Sequence, residues 1–175
     1  GLTLLKAWST AASFLGMTPF SAVANWTWTI VPLFILMGNL AYHTGVVGQA
    51  FDAVLKWTGK LPGALAVATS IGCGVMAAVS GSSVAVVATF GKIAIPLMLE
   101  RGYDKRLAAG VVSTSGSFGI LIPPSIILVI YGMFAEQSIG KLLLAGIVPG
   151  AITVILYVAF TMLLCKVRPQ LAPAL

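Results

Sequence analysis

Charge is what this sequence has least of. Of 175 residues only four are acidic and ten are basic, so 8% carry charge while 59% are hydrophobic. A soluble domain carries roughly a quarter charged residues. The chain therefore cannot wet its own surface, which excludes an ordinary soluble enzyme and a disordered segment. Cysteine is nearly absent as well. Cys73 and Cys165 both sit inside apolar runs, which excludes a secreted disulfide scaffold and reads as two small buried hydrophobes. The single histidine, His43, has no second His or Cys nearby, which speaks against a metal centre. No paired carboxylates and no nucleophile–base pair fall within the apolar runs. An enzyme embedded in the membrane is thus the weakest reading, and no catalytic residue is assigned. The net charge of +6 is not a nucleic-acid footprint, because the basic residues never gather into one tract with interleaved aromatics.

What is present is long apolar sequence. Residues 61–91, 107–135 and 142–165 contain no Asp, Glu, Lys or Arg. Each exceeds the ~20 residues a helix needs to cross a hydrocarbon layer. With a mean hydropathy of +1.05, the expectation is an all-α integral membrane protein bounded by membrane lipid. Residues 1–24, rich in Ser, Thr, Ala and Gly and interrupted by Pro19, read as an interfacial segment. Residues 25–60 read as a transmembrane helix anchored by Trp26 and Trp28, followed by an amphipathic helix in the membrane plane. In that second helix Gln49, Asp52, Lys56 and Lys60 define a polar face, with Val47, Phe51, Val54, Leu55 and Thr58 opposite.

Residues 61–101 hold the first interruption, Ser80-Gly-Ser-Ser83, between two apolar limbs. Two readings stand: two spans joined by a tight turn, or a re-entrant hairpin. A limb of about sixteen helical residues covers roughly 24 Å, short of the ~30 Å core, which favours the hairpin. Residues 102–136 hold the second interruption. Gly116-Ser-Phe-Gly119 and Pro123-Pro124 are expected to split this element into two half-helices around an unwound centre. Residues 137–175 give a last transmembrane helix, loosened at Pro149-Gly150, and a cytoplasmic end closed by Lys166 and Arg168. Counting sides, Lys56, Lys60, Arg101, Lys105, Arg106, Lys166 and Arg168 face one way, against Lys6 and Lys141. The first side is therefore cytoplasmic.

The two interruptions carry the chemistry. Unwound backbone at membrane depth is tolerated only inside protein or beside a wet cavity. Both breaks offer hydroxyls and glycines without charge, which suits hard oxygen ligation of an alkali cation, while helix N-termini favour an anion. Ser113 and Thr114 are better explained by packing, because their hydroxyls can bond the preceding turn. Helix arithmetic leaves a mismatch. From the 101–104 loop it is roughly 27 Å back to Ser83 but only roughly 16 Å forward to Ser115. The breaks then meet only if the hairpin limb tilts or its Glu100 end projects into water.

The run Gly116-Ser-Phe-Gly-Ile-Leu-Ile-Pro-Pro-Ser125 resembles the signature of the large membrane subunit of tripartite ATP-independent periplasmic (TRAP) transporters, the DctM-like family. Pro32–Gly38, Leu61-Pro-Gly63, Ser80–Ser83, Arg101-Gly-Tyr103 and Ala145–Gly150 fit the same family in order. Phe118 stands where Leu is expected. The resemblance implies one inverted-repeat unit with a re-entrant helical hairpin and a discontinuous transmembrane helix, in a multi-pass protein of the bacterial inner membrane. It implies an elevator-type transporter of organic acid anions with Na+ as the coupling ion. The partners implied are a small TRAP membrane subunit and a periplasmic substrate-binding protein. Carried onto matching positions, it places sodium at Ser80 and Ser83 and at carbonyls of Gly119, Ile122 and Pro124, with Ser82 and Ser117 facing substrate. Family members are considerably longer, and nothing here reads as a second hairpin. The expectation is a fragment carrying the first repeat. The competing reading from another class is a non-transporting membrane scaffold, in which the breaks serve packing alone.

Overall fold

In a computed structural model the chain is described at residues 16, 24, 26–59 and 61–173. The interfacial reading of residues 1–24 and the placement of Lys60 lie outside these, apart from residues 16 and 24. Every regular element among the described residues is helical. By internal contacts the chain divides into residues 1–33 and 34–175. The first unit contributes a 3-10 turn, Trp26–Thr29, and the opening of helix α1 (Ile30–His43). Pro32 sits in the first turn of α1, where a missing N–H costs least.

In the second unit α2 (Val46–Thr58) follows the left-handed Gly45. Its polar face is as the spacing predicts: Gln49, Asp52 and Lys56 are exposed, while Phe51 and Thr58 are buried. The apolar face packs on α3 (Ala64–Ser80) and α4 (Ser83–Glu100), with the Phe51 and Phe90 rings edge to face at 5.6 Å. Helices α3 and α4 form the hairpin. Its inner limb is almost wholly buried, from Ala64 to Met76, apart from Ile71 and Val75.

The second broken element comprises α5 (Lys105–Gly116), the single turn α6 (Phe118–Leu121) and α7 (Ile126–Phe134). Asp104 starts it, its Oδ1 accepting the N–H groups of Arg106 and Leu107 at 2.8 and 3.2 Å. The limb Lys105–Leu121 meets α7 at a bend of 41°. Here the structure departs from the expected break. Gly116–Gly119 does not unwind the helix; only Ser117 is a turn, and backbone helicity resumes through α6. The unwound stretch is Ile122–Ser125, where two prolines in series cannot continue the ladder. The descending limb is therefore 17 residues, roughly 25 Å. That comes close to the roughly 27 Å reach of the 18-residue α4 and removes the mismatch in reach.

A last helix, α8 (Ile139–Val167), runs 29 residues, roughly 43 Å. Pro149 falls within it without ending it. Its neighbours give a ruler. Leu142 lies against Gly132 of α7, Gly146 and Gly150 against Leu121 and Ile122, Val154 against Gly74 in α3, and Cys165 against Gly63 at the hairpin base. The hairpin thus covers the stretch from Cys165 to about Gly150, and α8 continues past its tip. Among the described residues α4 and α8 are each long and apolar enough to cross a membrane, and the bent pair adds a third crossing if counted as one.

The base of the hairpin is tied by one phenol. Tyr103, in the loop after α4, accepts the Leu65 N–H at 3.3 Å, one of the first-turn donors that a helix cannot satisfy itself. Burial pushes the Tyr103 phenol above its ordinary pKa, with the Leu65 hydrogen bond pulling the other way. Replacing Tyr103 by Phe strands a buried amide, a cost of about 1–3 kcal/mol. Tyr103→Phe is expected to lower the thermal unfolding midpoint of the full-length protein clearly more than Tyr157→Phe, whose contact with the Gly110 carbonyl is a marginal 3.5 Å. Equal midpoints would remove Tyr103 from this role.

Candidate functional site

The hairpin tip is built by three residues with different tasks. Ser80 ends α3, is 2% exposed, and its Oγ accepts the Ser82 N–H at 3.4 Å. Gly81 turns the chain at φ 61, a left-handed conformation that glycine adopts without strain. Ser82 is extended and caps α4, its Oγ accepting the Ala85 N–H at 3.4 Å. The opposing segment repeats this plan. The Ile122 N–H closes the ladder onto Phe118, and Ser125 is extended, fully buried and caps α7. The Ser125 hydroxyl donates to the Ile120 carbonyl at 2.7 Å and accepts the Leu128 N–H at 3.4 Å. One hydroxyl thereby serves both sides of the break.

The two breaks meet. The Ile126 N–H donates to the Gly81 carbonyl at 3.2 Å. A Cβ on Gly81 would collide with the Pro124 carbonyl, and one on Gly119 would lie 2.7 Å from the Ser83 amide nitrogen. One turn earlier, a Cβ on Gly116 would strike Val87. Two helices end and two begin at this seam: α3 and α6 present carbonyl ends, α4 and α7 present amide ends. The junction therefore offers partial charge of both signs with no ionised side chain at the contact. Behind it, the Ser115 hydroxyl donates to Ser70 Oγ at 3.2 Å, both residues fully buried, which ties α5 to α3.

The seven residues singled out from sequence fall into distinct places around the seam. Ser80 and Ser82 line one cavity of about 360 Å3, together with Asn39, Thr89 and Lys92. Ser83 and Ser117 line another, of about 460 Å3, on the α5 side with Ser113 and Gly116. The Ser117 hydroxyl donates to the Thr114 carbonyl at 2.6 Å, and Ser113 donates to Gly110 at 3.1 Å. Gly119 is part of the seam itself, and the Pro124 carbonyl lies against Gly81. Ile122 is turned towards α8, its backbone against Gly150. Ser80 and Ser83 are thus three positions apart but line different cavities. Sequence reasoning gave no site role to Asn39, Thr89, Lys92 or Ser125. Ser125 had a signal, a hydroxyl residue directly before an apolar run; the other three are gathered only by packing.

Two helix breaks joined in one α-helical bundle, with helices long and apolar enough to cross a membrane, define a discontinuous-helix membrane protein. The family described as "Tripartite ATP-independent periplasmic transporter, DctM component" matches residues 3–174, and the chain belongs to it. The C4-dicarboxylate TRAP transporter large permease protein DctM of Pseudomonas aeruginosa is 36% identical over 167 residues, covering 95% of this chain and 39% of the relative. Its namesake from Vibrio cholerae is 39% identical over 150 residues, 84% of this chain and 33% of the relative. The isethionate TRAP transporter permease protein DctMQ of Oleidesulfovibrio alaskensis is 36% identical over 166 residues, 95% and 26% respectively. Further relatives carry ectoine and sialic acid in their names. The chain thus spans 26–39% of the length of these three relatives.

The seam makes a graded prediction. Overpacking a filled contact costs about 1–3 kcal/mol. Gly81→Ala and Gly119→Ala are expected to lower the unfolding midpoint of the full-length protein. Gly110→Ala, with no atom within 4 Å of the added methyl, should hold or raise it. Equal effects at the three positions would show that the close approach is not there.

Proposed function

We propose that the chain forms part of the large membrane subunit of a sodium-coupled secondary transporter that imports organic acid anions across the bacterial inner membrane. The observation that carries this reading is the seam, where two uncharged helix breaks join with hydroxyls and backbone carbonyls at hand. The seam itself offers hard oxygen donors, which suit an alkali cation, and Lys92 supplies a positive charge to the cavity that Ser80 and Ser82 line. In this reading sodium binds at the seam between the cavity that Ser80 lines and the one that Ser83 lines, with carbonyls of Gly119, Ile122 and Pro124 as further ligands, and the two hydroxyls turn towards each other when the ion binds. Ser82 and Ser117 face the substrate, each from its own cavity beside the seam, and the substrate carboxylate is attracted by the N-termini of α4 and α7.

The hairpin is re-entrant in the same reading. Its tip abuts the middle of the α5–α7 element and is passed by about ten residues of α8, so it stops partway through the bilayer. Hairpin and broken helix then move together as part of an elevator-type transport domain. The substrate is delivered by a periplasmic binding protein, and a small TRAP membrane subunit completes the complex. The relatives' names, which include C4-dicarboxylate, isethionate, ectoine and sialic acid, place no single substrate on this scaffold. Carboxylates as a class are our reading.

Sodium-dependent uptake by the full-length protein with its partners separates this reading from a packing-only scaffold. Ser80→Ala combined with Ser83→Ala is expected to abolish uptake while the protein still reaches the membrane in normal amount. Uptake at the wild-type rate, with unchanged sodium dependence, overturns the sodium assignment.

A further inference from the structure

A groove of about 470 Å3 lies between α5 and α8. Its walls are apolar and aromatic: Leu107, Val111, Tyr157, Phe160 and Leu164 among them. Its mouth holds Arg106 and Arg168, both exposed. Arg106 lies in the first turn of α5, and Arg168 directly follows the last residue of α8. The two ends sit side by side because the Asp104 N–H donates to the Leu171 carbonyl at 3.0 Å. Asp104 also lines the groove, its Oδ1 accepting the N–H groups of Arg106 and Leu107, so two guanidiniums and one carboxylate leave this end with one net positive charge.

The groove is therefore graded along its length, with two guanidiniums at one end and an apolar slot running from it into the membrane. A soluble anion would use only the first part, and a hydrocarbon chain only the second. A molecule with an anionic head and an acyl tail uses both. The sequence puts this charged end on the side where most of the basic residues are expected, which is also where an anionic leaflet is expected. Guanidinium groups suit phosphate, which they can engage through two parallel N–H donors.

We propose that this groove is a binding site for an anionic phospholipid, with the phosphate held by Arg106 and Arg168 and one acyl chain lying along Tyr157 and Phe160. The site is separate from the helix-break seam.

The test titrates the purified full-length protein in detergent with phosphatidylglycerol and with phosphatidylcholine of the same chain length, read by native mass spectrometry. Wild-type protein should retain phosphatidylglycerol in preference to phosphatidylcholine. The double variant Arg106→Gln/Arg168→Gln should bind phosphatidylglycerol at least roughly tenfold more weakly. Arg101→Gln, on the same side but outside the groove, should bind like wild type. Gly110→Trp, which fills the groove from the α5 wall and leaves both arginines in place, should also lose the lipid. Elution volume and unfolding midpoint report whether each variant is folded. Equal retention of the two lipids, undiminished binding by the double variant or by Gly110→Trp, or no lipid on the wild type at all each overturns the proposal.

Discussion

Backbone polar groups have no water to turn to inside a bilayer, and the architecture of this chain depends on how two interrupted helices answer that constraint. Each break exposes groups that a continuous helix would have paired. The hairpin tip supplies the Gly81 carbonyl to the Ile126 N–H, and the serines at both tips cap the helices that restart there. Neither interruption would be stable alone in hydrocarbon. Joined, they form one contact that fixes each break against the other. Residues without side chains make this possible, because Gly81 and Gly119 bring backbone against backbone where any Cβ would intervene.

From that contact the rest of the arrangement follows. The hairpin limb α4 and the limb Lys105–Leu121 descend side by side to the same level, so the tip abuts the proline pair. The long helix α8 then packs along the seam through Gly146 and Gly150, whose backbones approach Leu121 and Ile122. Small residues at a membrane helix interface allow such approach, since hydrophobic burial gives no driving force between helices in lipid. At the other end Tyr103 and the Asp104–Leu171 hydrogen bond gather the hairpin base, the start of α5 and the end of α8. The bundle is thus closed at its base by polar contacts and at its tip by backbone contact.

How much of this could be read from sequence differs between the two breaks. Ser80-Gly-Ser-Ser83 interrupts an apolar run, and the helix ends and restarts at those residues. Pro123-Pro124 likewise unwinds the chain where it must, since proline lacks the N–H and clashes with the preceding turn. Gly116–Gly119 misled. Glycine weakens a helix without forbidding it, and here its absent side chains admit Val87 and Ser83 from the neighbouring limb. That placed the break too near the loop and produced an apparent mismatch in depth. The division of the serines into two cavities was also hidden. Ser80, Ser82, Ser83 and Ser117 look like one polar cluster in sequence, but which way each points depends on the phase of the helix it ends or begins.

By itself the sequence determined that this chain lives in a membrane, that it is helical, and that its helices are interrupted at two uncharged places. Composition and backbone chemistry are local properties, and they suffice for those conclusions. Only the tertiary structure decided that the two interruptions are a single site, at what level along α8 it lies, and which hydroxyls face which cavity. Those depend on contacts between residues some forty positions apart, such as Gly81 with Ile126 and Ser70 with Ser115. No period or motif encodes such a meeting, because it comes from how closely two backbones can approach once both have folded.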